Sequence, residues 1–185
     1  MNNIAYHILD LTNNSIRAKA TRISIDLRID ENLGRLGFQI IDNGCGMTET
    51  EVNQALDPFF TTRKNRKVGF GLPFIKMSVE QTGGTFLLES EKNKGTLLKA
   101  CFHTHNIDIL PVGDVPGVIA IILTSHPDIS IRFHYQENNK VFSVSNEDLL
   151  SLLQGFPPGH VKIISLIKQF LEDNININKK LEVYK

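Results

Sequence analysis

Two glycine-spaced segments hold the residues best suited to chemistry. In DNGCGM, residues 42–47, Asp42-x-Gly44-x-Gly46 directly follows a strand-like run. A carboxylate is thereby fixed at a strand end, while two glycines let the backbone pass close to a ligand. In KVGFGLPFIK, Gly69-x-Gly71 opens a helix-like run, where free amide groups and the helix dipole favour a phosphate. The basic residues Arg63, Lys64, Arg66 and Lys67 come just before it and could face phosphates. Upstream, Asp10, Asn14 and Arg17 follow an i, i+4, i+7 spacing. At about 100° per residue they share roughly 60° of one helix face, opposite the apolar Ile4 and Ile8. Each feature also has an ordinary explanation, as a turn, a solvated basic loop or a solvated helix face. Their conjunction in one order carries the argument.

The elements that must position these residues are legible from periodicity. Residues 4–19 carry a helical apolar stripe. From Arg22 the period becomes two, with Ile23, Ile25, Leu27 and Ile29 alternating with polar residues, which predicts a half-buried strand. Residues 36–41 predict a second strand, and 48–56, with Thr48 and Glu51 as a capping box, a short helix. A helix over 72–82 stops at Gly83-Gly84, and strands follow over 85–90 and 95–105. Beyond residue 106 we expect a strand at 107–113, a helix at 116–125, a hairpin over 128–145 and helices at 146–153 and 160–173. A domain boundary is placed near Asn106, giving residues 1–105 and a smaller 106–185 segment of unknown role.

Composition narrows the class. The chain has 185 residues, 41% of them hydrophobic and 22% charged. That suffices for one domain, or one with an appendage, burying roughly 70% of its unfolded surface. Lys plus Arg and Asp plus Glu are 20 each, so no global field draws the chain to nucleic acid or an anionic membrane. Two cysteines without paired metal spacing, no secretory leader and no apolar run near bilayer length point to the cytoplasm.

Residues 7–105 resemble the GHKL superfamily of ATP-binding domains and are most similar to those of histidine kinases. DLTNNSIRAKATRISI looks like the N-box, DNGCGM the first glycine box, DPFFTTR the phenylalanine box, GFGLPFIKMSVEQTGG the second glycine box with its helix, and KGTLLKACF the last glycine-threonine box. The resemblance implies an α+β fold, a two-layer sandwich on a mixed, mainly antiparallel sheet, with a small C-terminal α/β extension. It implies ATP and Mg²⁺ as cofactors, with Asn14 on the metal and Arg17 near the phosphates. Asp42 would accept from the adenine amino group, with Thr96 at the same ring edge. Gly44, Gly46, Met47, Gly69, Phe70, Gly71 and Leu72 would complete the nucleotide site. Asp10 stands where the family usually has a glutamate that orients or activates water, one methylene longer.

The expected function is Mg-ATP binding with slow hydrolysis, or transfer of the γ-phosphate to a separate protein. The chain as given has no room before Asp10 for a phosphoacceptor helix. A non-catalytic, nucleotide-gated protein-binding module, in which ATP orders residues 61–70, is the alternative; a relic that has lost ATP comes third. ATP or ADP and a signalling protein are the expected partners, without nucleic acid or membrane, and a homodimer is left open. Cys101, His103 and His105 share one strand face, but their spacing is long for one zinc ion. His7 is expected at the surface, with the phosphate side of the first helix as the alternative; Phe59 and Phe60 are expected as core and loop anchors, and LPVGDVPG as ordinary turn chemistry in preference to a binding loop.

Overall fold

The structure, a computed structural model, describes residues 3–58, 71–152 and 160–175. Six strands form one sheet in the order β3-β4-β2-β1-β5-β6. The alternation that begins at Arg22 becomes β1 (Arg22–Asp30), whose Ile23, Ile25, Leu27 and Ile29 are buried. β2 (Arg35–Asp42) pairs antiparallel with it, Ile25 opposite Ile40. β3 (Thr85–Glu91) and β4 (Gly95–His103) form an antiparallel hairpin, and β4 joins β2 with Thr96 opposite Asp42.

β5 (Ser130–Glu137) runs parallel to β1, with Ile131, Phe133 and Tyr135 in register with Ile23, Ile25 and Leu27. β6 (Lys140–Ser145) closes a hairpin with β5. One sheet face is thus a continuous apolar floor. The other carries Arg22, Ser24, Asp26 and Arg28. This is an α+β fold on an open, mixed and mainly antiparallel sheet. Strands from beyond residue 106 extend the same sheet as those before it.

Helices cover the apolar floor. α1 (Ile4–Arg17) begins at Asn3, whose side chain accepts from the Tyr6 amide, and ends in a Schellman turn. There Lys19 takes φ 60°, and the Lys19 and Ala20 amides donate to Ile16 and Ser15. α2 (Glu49–Ala55) has the expected capping box and buries none of its residues. α3 (Gly71–Gln81) sets Ile75 and Val79 into the core. α4 (Val115–Ser125) is apolar on nearly every side and packs against α1 and α6 (Val161–Asn174). α5 (Asn146–Leu152) follows β6.

The strand expected over 107–113 does not form. Pro111 has no N–H for a ladder, Gly113 takes φ 76°, and Asn106 turns the chain by accepting from the Asp108 amide. The segment is instead a strap across the start of α1, where the Pro111 and Val112 carbonyls accept from the Ile4 and Ala5 amides. Orphan donors of a helix N-terminus are thereby satisfied by chain from the far side of residue 106.

Candidate nucleotide site

The site begins with α1, one face of which packs on the sheet while its edge stands clear. Along that edge Asp10, Asn14 and Arg17 line a cavity of about 510 Å³, with Leu11 and Ser15 as its apolar and polar margin. Sheet residues Ile40, Asp42, Thr96 and Leu98 form the floor; Gly46 and Met47 bound one side, Gly71 and Leu72 another. Four chain segments, within residues 10–18, 40–55, 71–72 and 88–98, therefore meet around one void, with Asp42 and Asn14 in the same lining.

Asp42 is buried and held on both oxygens: the Ser15 hydroxyl donates to Oδ2 at 2.6 Å and the Gly44 amide to Oδ1 at 2.8 Å. Each oxygen keeps a lone pair for a donor from the cavity. Gly44 is not in the lining; it serves as a donor behind Asp42. Gly46 takes φ 59°, and a Cβ there would run into the Glu91 carbonyl, so the loop passes hard against the β3–β4 turn. That turn is stitched to the loop by Asn93 N–H to the Cys45 carbonyl at 2.8 Å and Met47 N–H to Ser90 Oγ at 2.8 Å. The Ser90 hydroxyl lies 2.9 Å from both the Gly95 carbonyl and Thr96 Oγ1. With the Ser90 proton given to Gly95, Thr96 donates to Ser90 and presents lone pairs to the cavity. The floor then offers acceptors, which suit a ligand edge bearing an amino group.

At the other end, Arg17 Nη1 donates to Asn14 Oδ1 at 2.8 Å, placing a cation on the amide oxygen. At the rim, Lys92 pairs with Glu51 at 3.3 Å and ties α2 to the β3–β4 turn. The Thr48 backbone N–H, with Lys92 beyond it, holds the Glu51 carboxyl below its ordinary range.

Gly69 and Phe70, like Phe59, Phe60 and the basic residues 63–67, lie outside the described residues. Ser15, Ser90 and the Lys92–Glu51 pair were not singled out from the sequence. Ser15 sat within an apolar stripe, and the only signal was that a buried hydroxyl needs a partner; that partner is 27 residues away. His7, expected at the surface, is fully buried because its position on α1 turns inward beside Ile4 and Leu11. Burial lowers its imidazole to about 4, the Asp10 charge acting the other way. Among the described residues no group of three metal-binding side chains occurs, and burial pushes the Cys101 thiol up.

Residues 3–106 match the family described as histidine kinase-, DNA gyrase B- and HSP90-like ATPase. The chain belongs to this family. It therefore carries an ATP-binding domain of the histidine kinase-like type. Among relatives of this ATPase domain, the probable C4-dicarboxylate sensor kinase of Bacillus subtilis (strain 168) is 32% identical over 78 residues, covering 42% of this chain and 15% of its own length. The sensor histidine kinase ZraS of Klebsiella oxytoca is 33% identical over 91 residues, covering 49% of this chain and 20% of its own. The chain thus spans a fifth or less of these two relatives. In fold, the domain resembles the N-terminal domain of a DNA repair protein, with TM-score 0.59 and 16% identity over 84% of this chain and 58% of that one. It also resembles the Aquifex aeolicus MutL ATPase domain complexed with ADP, with TM-score 0.50 and 13% identity over 83% and 70%. No helix among the described residues is long and apolar enough to cross a membrane.

Proposed function

We propose that the chain binds Mg-ATP in this cavity and either hydrolyses it slowly or passes the γ-phosphate to a separate protein. The observation that carries the reading is the shared lining: a doubly held carboxylate, Asp42, at one end and Asp10, Asn14 and Arg17 at the other. Asp42 and Thr96 suit the adenine amino edge, and a guanine carbonyl there would face acceptors alone. Asn14 Oδ1 is a hard oxygen of the kind that Mg²⁺ takes singly beside phosphate and water, and it lines the cavity, so the residues fit the ion. When bound, the metal would neutralise phosphate charge. Arg17 must then release the Asn14 oxygen and can turn its guanidinium to the phosphates. Asp10 would orient the attacking water or hydroxyl.

The nucleotide residues all precede residue 106, so we take 1–105 as the nucleotide-binding part and 106–185 as a small α/β segment that extends its sheet and packs against α1. Two free cysteines support a cytoplasmic setting. A signalling protein is the proposed partner for phosphate or for docking. The second reading, a nucleotide-gated binding module without turnover, is favoured by one observation: Asp10 accepts no hydrogen bond among the described residues, so none of these sets it as a base.

Calorimetric titration with ATP, ADP and GTP, with and without Mg²⁺, tests the pocket. ATP and ADP should bind, GTP about 10-fold or more weaker, and Asp42→Asn should lose about 10-fold or more in ATP affinity with its unfolding transition retained. Equal binding of ATP and GTP, or an unaffected Asp42→Asn variant, would remove Asp42 from base recognition. Phosphate release from pure protein separates the two readings.

A further inference from the structure

Among the described residues, His7 is one of three buried polar side chains left without a hydrogen-bond partner. It is 0% exposed, and neither Nδ1 nor Nε2 has a hydrogen-bond partner among the described residues. A neutral imidazole always carries one N–H, so a donor is left orphaned in the interior, at a cost of about 1–3 kcal/mol. A buried group of this kind calls for a reason, and leucine would fill similar space without the loss.

The helix supplies the complement. Three residues along α1, about 60° around it, is Asp10, whose side chain lies within a turn of His7. Seven residues along, about 20° around, is Asn14. Asp10 lines the cavity, and its carboxylate takes no hydrogen bond among the described residues. A buried donor without a partner among the described residues therefore stands one helical turn from a half-buried carboxylate whose charge already acts on its ring. Asp10 is half-buried, so solvent water can reach its carboxylate in the ligand-free protein. A polyanionic ligand filling the cavity would displace that water and crowd negative charge against the carboxylate, which makes an internal donor worth most at that moment.

The geometry points to His7 as a positioning residue for Asp10: with nucleotide bound, its ring N–H donates to the Asp10 carboxylate and aims it at the terminal phosphate. This rests on the ATP-binding reading of the cavity. Burial keeps His7 neutral near pH 7, so it acts as a donor and not as a second cation beside Arg17. No bond is made or broken at His7. It fixes the direction of a short carboxylate whose own helix gives it no other anchor.

A long-range proton–nitrogen spectrum of the histidine rings in the full chain tests the pairing, recorded with and without saturating Mg²⁺ and the non-hydrolysable analogue AMP-PNP. The His7 ring should stay neutral in both, and its N–H resonance should move downfield with nucleotide in the wild type and not in Asp10→Asn. In turnover assays His7→Leu should lower kcat about 10-fold or more with KM within about twofold, and His7→Gln, which restores an N–H donor, should recover part of the loss. A His7 signal indifferent to saturating nucleotide, or wild-type kcat in His7→Leu, overturns the pairing. Because the spectral comparison keeps His7 in place, it decides the matter even if His7→Leu does not fold. Should the Asp42 and Thr96 amides also fail to respond, the nucleotide site itself falls and the pairing with it. A response there with a silent His7 removes the pairing alone.

Discussion

Asp42 and His7 show two opposite solutions to burying a polar group. Asp42 has a donor on each oxygen, and the shorter bond comes from Ser15, a residue with no other evident task. Ser15→Ala should therefore cost about 1–3 kcal/mol in urea unfolding and weaken ATP binding, since the remaining Gly44 amide leaves Oδ2 free to turn from the cavity. A Ser15→Ala protein as stable as wild type would show that this hydroxyl does not support the carboxylate. His7 has no hydrogen-bond partner among the described residues, and its folded value of about 4 lies below the ordinary 6.5. Between those values the unfolded chain binds the proton and the native chain does not, so stability rises with pH across that window. It is fully present above about pH 6.5 and falls by about 2–4 kcal/mol as the pH drops to about 4. Urea midpoints at pH 5 and pH 7 should diverge in the wild type and draw together in His7→Leu, which also removes the orphan donor. The residue types at Asp10, Asn14, Arg17 and Asp42 were readable from the sequence. The groups that hold or oppose them were not, because a side chain's partner is set by packing.

At the scale of elements, local rules carried most of the secondary structure. The period-two run from Arg22 is β1, the Thr48–Glu51 box starts α2, and Gly83 ends α3 at φ 73°. Where the rule failed, at 107–113, proline and a positive-φ glycine broke an apolar run that otherwise read as a strand. Two glycines separate the demands of conformation from those of space. Gly83 is open on all sides, so Gly83→Ala meets only backbone strain, about 1 kcal/mol. Gly46 combines positive φ with the Glu91 carbonyl where a Cβ would be, so Gly46→Ala should cost several kcal/mol and abolish ATP binding by pushing the loop off the β3–β4 turn. Equal urea midpoints for the two variants would contradict this account of the loop.

At the scale of the molecule, the C-terminal portion completes the fold around α1. α4 buries Val115, Ile119 and Leu123 between α1 and α6, β5 pairs with β1, and the strap caps α1. A chain ending at residue 105 would bare the apolar edge of β1 and one flank of α1, and should lose its cooperative unfolding transition and its near-ultraviolet circular dichroism. Retention of both would show that the first part folds alone. Strand and helix periods, capping boxes, glycine boxes and the family they mark were determined by the sequence, because they are written in neighbouring residues and their spacing. The sequence left open that β5 lies parallel against β1 and that His7 turns inward. It also did not show that Ser15 reaches Asp42 across 27 residues, or that one cavity takes Asp10, Asn14 and Asp42 together. Those are contacts between distant segments, and only the packing of helices on a finished sheet selects them.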